Sequence, residues 1–236
     1  MVKRKKSNIK KNQNIDTIAV HGGIKPDKLT GAVMTPIYAT STYANSSPGI
    51  NLGYEYGRSQ NPTREVLEDA LSKLENGSKG FAFASGLSAQ SAVLDLLLPG
   101  DHIIAFNDLY GGTFRLINEI KVKSSGLKVS YIDFNKENIA KHITKKTKLI
   151  WIETPTNPLL KVTDLKKIAK IAKLNKILTV CDNTFATPHN QRPLELGIDI
   201  VNHSTTKYIN GHSDIIGGAL IVGNNKSLQK KLSFIQ

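Results

Sequence analysis

The sequence predicts an α/β domain built on a mostly parallel, seven-stranded sheet covered by helices. Three observations carry that prediction. Seven short apolar runs recur along the chain, segments of helical period separate most of them, and the residues suited to chemistry fall just after the runs' carboxyl ends. Strands joined through helices of this length favour right-handed crossovers, which lay the strands parallel and bury both faces of the sheet. Ligands of such sheets bind beyond the carboxyl ends of the strands.

Residues 1–14 are polar and basic, bury little, and read as a disordered tail. Residues 15–60 read as an N-terminal arm. From Thr30 to Gly57 this arm is rich in Thr, Ser, Tyr, Gly and Pro and keeps no sustained period. Residues 61–236 carry the large, ligand-binding domain. It opens on a helix: Asn61 suits the cap, Pro62 the first position, and Val66, Leu67, Ala70, Leu71 and Leu74 form an apolar stripe ending at Gly77. Strands are expected at Phe81 to Ala84, His102 to Phe106, Val129 to Ile132, Leu149 to Glu153, Ile177 to Asp182, Ile198 to His203 and Ala219 to Val222. Helices are expected at Ser88 to Leu98, Thr113 to Lys123, Asn135 to Ile143 and Asp164 to Asn175.

At 236 residues the chain can bury one large core. Cys181 is the only cysteine, so an internal disulfide is excluded, and its apolar strand makes it a small core residue. The basic start is followed by Asn, Gln and Lys rather than by an apolar stretch, and no apolar run reaches membrane-spanning length. A cytoplasmic protein is expected. The net charge of +13 invites a nucleic-acid reading. Six of the positive residues lie within Lys3 to Lys11 and fourteen lysines lie between Lys121 and Lys176, mostly on polar helix faces, with no aromatic stacking run beside them. Solvated surface is the expectation, with neither nucleic acid nor membrane as a partner. Six histidines show no metal-ligand spacing, and no metal is expected.

The chemistry centres on Lys207, in His203-Ser204-Thr205-Thr206-Lys207-Tyr208 after an apolar run, and on Asp182, which closes the preceding run. An amine, a strand-end acid and nearby hydroxyls suit pyridoxal 5'-phosphate, whose aldehyde needs a lysine, whose ring nitrogen needs an acid and whose phosphate needs donors. Desolvation against Tyr208 and Ile209 would lower the pKa of Lys207. Ser204 and Thr206, two apart on an extended segment, would point to one side and share the phosphate. Gly86, in Ala84-Ser85-Gly86-Leu87-Ser88, opens a helix whose first amides suit an anion. No Gly-Lys-Ser or Gly-Lys-Thr makes this a Walker loop, and the glycine spacing is not that of a hydrolase elbow. Tyr110 could stack on a flat cofactor, and Asn157 sits in a turn past another strand. Arg58, in Tyr54-Glu55-Tyr56-Gly57-Arg58, could hold a phosphate with a forked pair of bonds. An anion ligand on an arm points to a site shared with a neighbouring chain.

Six motifs occur in order: Tyr54-x-Tyr56-x-Arg58-x-x-Asn61-Pro62-Thr63, Ala84-Ser85-Gly86-Leu87-Ser88-Ala89, Tyr110-Gly111-Gly112-Thr113, Glu153-Thr154-Pro155-Thr156-Asn157-Pro158, Asp182-Asn183-Thr184-Phe185, and Ser204-Thr205-Thr206-Lys207 continuing to Asp214. Together they resemble the pyridoxal-phosphate enzymes of cysteine and methionine metabolism, the cystathionine γ-synthases, γ-lyases and β-lyases. The resemblance implies a fold-type I large domain in a homotetramer built as a dimer of dimers. It implies Lys207 as covalent anchor and proton carrier, Asp182 at the ring nitrogen and Tyr110 on the ring. Gly86, Leu87, Ser204 and Thr206 would hold the phosphate with Tyr56 and Arg58 of a neighbouring chain. Asn157 would face the ring hydroxyl, and Arg115 the substrate. It also implies that a C-terminal domain, which supplies the substrate-carboxylate arginine in relatives, is absent after Gln236. The expected activity is trans-sulfuration at the Cγ–S bond of cystathionine or an activated homoserine. The alternatives are a cystathionine β-lyase and a truncated cofactor-binding remnant with little activity. Gly112, where methionine γ-lyases commonly carry cysteine, argues against that specificity.

Overall fold

The computed structural model describes residues 14–236, so the expected basic tail lies outside the described residues except for Asn14, which caps the first helix. One seven-stranded sheet organises the chain. In chain order the strands are β1 (Lys79–Phe83), β2 (His102–Phe106), β3 (Lys128–Ile132), β4 (Thr147–Glu153), β5 (Leu178–Asp182), β6 (Ile200–His203) and β7 (Gly218–Val222). Their spatial order is β1-β7-β6-β5-β4-β2-β3. Pairs from β3 to β6 are parallel, whereas β7 runs antiparallel to both β1 and β6. Six strands therefore end at one edge, and the reversed β7 begins there.

Burial explains the composition of the strands. β2 and β7 are buried at every position, and Trp151, Phe81 and Phe106 are the largest fully buried side chains. Fully apolar runs are what a sheet covered on both faces requires. The covering helices include α2 (Pro62–Leu74), α3 (Gly86–Leu94) and α6 (Leu165–Leu174), with α8 (Lys226–Ile235) packing near β1. Among the described residues no helix is long and apolar enough to cross a membrane.

Several elements differ from the sequence reading. The helix expected at Asn135 to Ile143 is only a 3-10 turn, Ile139–His142, capped by Asn138. That segment has one buried apolar residue, Ile139, and so no stripe to hold a longer helix against the core. The helix expected from Thr113 is α4 (Gly111–Arg115), a π-helical stretch (Leu116–Lys121) and α5 (Val122–Ser125). Thr113, Leu116 and Ile117 are buried at α-helical spacing, but the next residue packed on the core is Val122, five further on. A wider turn meets that spacing. Three helices were not anticipated: α1 (Ile15–His21) in the arm, α7 (Thr187–Asn190), and α8.

The stripe on α2 is also revised. Leu67 is half exposed, while Glu68 and Ser72 are buried. The cause is the sheet edge. β1 is an outer strand, and Glu68 Oε1 accepts its Ala82 amide at 2.9 Å and Gln236 Nε2 at 2.7 Å. An edge strand's unpaired amides need such partners when buried.

Candidate active site

A cavity of about 290 Å³ lies at the carboxyl ends of the strands. Asp182 forms part of its floor. It closes β5, is buried, and its carboxylate accepts from Asn202 Nδ2 at 2.9 Å, Thr184 N at 3.0 Å and Gln90 Nε2 at 3.1 Å. Gln90 in turn accepts from Thr113 Oγ1 at 3.0 Å. Three donors fix the carboxylate plane.

At another wall, Ser85 caps α3 through the Ser88 amide, and the Ser88 hydroxyl accepts from the Ser85 amide. This leaves the amides of Gly86 and Leu87, the first two of the helix, without an intrahelical acceptor. Both residues line the cavity, as does Ser204, whose hydroxyl no described side chain or backbone group engages. A Cβ at Gly86 would stand 2.8 Å from Ser204 Cβ. Glycine is thus required by the close approach of the helix start to the β6 turn, as well as leaving room for an anion.

Lys207 lines the same cavity but is exposed, and Tyr208 is 66% exposed, so the expected desolvation by Tyr208 and Ile209 is not found. The turn that follows β6 sets the amine at the cavity mouth. Nor is the segment extended past Ser204: Lys207 N donates to Ser204 O at 3.2 Å, and Thr206 Oγ1 is bonded to both Gly217 O and Gly217 N. Ser204 and Thr206 still reach one cavity, through a turn rather than through strand alternation.

Tyr110 and Asn157 line the cavity from two neighbouring loops, those that follow β2 and β4. A Cβ at Gly112 would lie 2.3 Å from Tyr110 Cε1, so the missing side chain lets the ring fold back over the start of α4. Tyr56, Arg58 and Arg115 do not line the cavity. Arg58 stacks over the Tyr56 ring at 4.9 Å, on an arm whose turn Arg64 holds through the carbonyls of Gly57, Arg58 and Ser59.

The sequence reading missed Glu153, Gln90, Thr184, Phe185 and Ile216 as cavity residues. Only Glu153 left a signal, since it closes β4 as Asp182 closes β5. Burial and the neighbouring Asp182 carboxylate push Glu153 up to about 8, against the amides of Tyr110 and Asn157, which favour its charge. A carboxyl raised on folding stabilises fully below its unfolded value and loses that contribution as pH rises to the folded value. His102 is lowered by burial, so its contribution is present above its ordinary 6.5 and fades as pH falls below. From about pH 7 to 8, where His102 is neutral in both states, the stability of the cofactor-free chain in urea is expected to fall. Glu153→Gln should flatten that slope, and an unchanged slope would count against the assignment.

The donor set fits a phosphorylated aldehyde with a basic ring: amine, buried acid, two helix-start amides and a free hydroxyl, all on one cavity. A sheet of this order with that site defines a pyridoxal-phosphate-binding α/β protein. The chain matches the family model described as Cys/Met metabolism PLP-dependent enzyme over residues 16–236, and it belongs to that family. It is 56% identical to the cystathionine beta-lyase of Coxiella burnetii (strain RSA 493 / Nine Mile phase I), over 98% of this chain and 60% of that protein. It is 48% identical to the cystathionine gamma-lyase of Bacillus subtilis (strain 168), over 93% of this chain and 58% of that protein. The crystal structure of cystathionine gamma-lyase from Lactobacillus plantarum complexed with L-serine superposes with a TM-score of 0.91 at 46% identity, covering 94% of this chain and 58% of that one. The chain thus spans about three-fifths of the length of these relatives.

Proposed function

We propose that the chain carries the cofactor site of a trans-sulfuration enzyme acting at Cγ of cystathionine or an activated homoserine. The observation that supports this reading is the placement of Lys207 and Asp182 on one cavity, with the start of α3 and Ser204 at its rim. Bound pyridoxal phosphate supplies an electron sink for a carbanion at the substrate's Cα. Asp182, held by three donors, keeps the ring nitrogen protonated. The Gly86 and Leu87 amides and the Ser204 hydroxyl would donate hydrogen bonds to the phosphate, Thr206 shapes that end through Gly217, and Tyr110 and Asn157 would lie beside the ring. Lys207 would anchor the aldehyde and would carry the proton at the substrate's Cα. Its exposed position on the cavity lining suits that transfer.

Tyr56 and Arg58 are assigned to the cavity of a second copy in a homo-oligomer. Support comes from the lining of their own chain's cavity, which neither joins, and from the anchoring of their turn by Arg64.

Borohydride reduction of the chain loaded with pyridoxal phosphate is expected to place the label on the Lys207 peptide, and Lys207→Arg to abolish it. Label spread over surface lysines with no preference for Lys207 would overturn the reading. Product analysis with cystathionine then assigns the bond: cysteine with 2-oxobutanoate reports γ-cleavage, whereas homocysteine with pyruvate reports β-cleavage.

A further inference from the structure

Two loops leave the sheet at the cavity edge, one after β2 carrying Tyr110 and one after β4 carrying Asn157. Each is gripped by an acid from the other. Glu153, at the end of β4, accepts the Tyr110 amide through Oε2 at 3.0 Å and the Asn157 amide through Oε1 at 2.8 Å. Asp108, in the loop after β2, accepts the Thr156 hydroxyl and the Leu159 amide, the latter at 3.2 Å. Both acids are buried.

We infer that Asp108 and Glu153 form a reciprocal clasp that positions Tyr110 and Asn157 relative to each other at the cofactor cavity; this rests on the function proposed above. The clasp has an energetic cost. Glu153 and Asp182 are register partners on adjacent strands, so Asp108, Glu153 and Asp182 crowd three buried carboxyls at one edge. Loops held only for stability would pack as well around neutral groups, because burying charge is expensive and apolar replacement is often neutral. Two acceptor oxygens on one rigid strand end do what an apolar residue cannot: they fix the backbone of two loops relative to each other. Neither acid need touch the substrate.

The test is carried out on the full 236-residue chain with Glu153→Gln and, separately, Asp108→Leu. Glutamine keeps the shape but turns an NH2 toward one of the two amides. Quenching of Trp151, the only tryptophan, measures cofactor affinity, and visible circular dichroism of the bound cofactor reports ring orientation. The Kd for pyridoxal phosphate is expected to rise about tenfold in Glu153→Gln, with a changed visible dichroic band. Its urea midpoint above about pH 8 should stay level or rise, because a buried like charge has gone. A merely structural role would lower stability and affinity together and leave the dichroic band of the fraction that binds unchanged. Asp108 takes both of its bonds on one oxygen, so leucine, which removes the acceptor at similar size, is the second variant. Asp108→Leu should show the same change in affinity and band, which keeps the test open if one variant folds poorly. If wild type is labelled at Lys207 while both variants keep its Kd and dichroic band, the clasp is overturned and the function stands. If wild type shows no such label, both fall.

Discussion

On the function proposed above, Asp182→Asn is expected to lower turnover of cystathionine by about a hundredfold or more while changing stability by only about 1 kcal/mol. The asymmetry follows from the contacts. Asparagine keeps an acceptor for the Thr184 amide, and its new NH2 faces the side-chain amides of Gln90 and Asn202. Both can turn over. Asn202 Oδ1 has no partner in the present arrangement, so rotation would give it one, and Gln90 can accept after exchanging roles with Thr113. The shape of the site is therefore retained and one buried charge is lost. A neutral amide does not hold a proton on a ring nitrogen, and with it goes the stabilisation of charge developing at the substrate's Cα. Turnover measured beside the urea midpoint separates the two effects. Native turnover in a folded Asp182→Asn chain would remove the acid from the mechanism.

Much of the site could be read in the sequence because its residues mark strand ends. Asp182 and Lys207 follow apolar runs that no surface loop would contain, and Gly86 stands between a strand and a helix with its cap beside it. Those signals are local, and the structure places all three on one cavity. Glu153, Gln90 and Asp108 carry no local signal of comparable strength. Their roles depend on loops 23 to 92 residues away in sequence, as in the bonds from Gln90 to Thr113 and to Asp182. The same holds for Glu75, whose carboxylate meets His203 at 2.5 Å and Asn183 at 2.8 Å beneath the Lys207 turn. A polar residue in a helical pattern reads as solvated until the sheet that buries it is known. Helix α8 was passed over for a related reason: Leu228 and Leu232 are its only buried residues, too sparse a stripe to stand out among lysines. The reversal of β7 was equally invisible, since a fully buried strand has the same composition in either direction.

Gly218→Ala is expected to cost about 3 kcal/mol or more and to impair cofactor binding as well. Gly218 opens β7 at the cavity edge, opposite Phe83 of β1. A Cβ there would stand 2.0 Å from the carbonyl oxygen of Ser85 and 2.8 Å from the amide nitrogen of Gly86. Both neighbours are backbone atoms, so no rotamer change relieves the clash. The peptide that must move is the one that begins α3, whose first amides are assigned to the phosphate. Displacing it shifts the anion site away from Ser204 and Lys207 while opening the β1–β7 pairing. Gly223→Ala supplies the control, because a Cβ at that position meets nothing within 4 Å. Urea unfolding of the two variants should therefore differ by most of the cost at Gly218. Equal midpoints would show that the start of α3 is free to slide along β7, and the phosphate assignment would then lose its rigid frame.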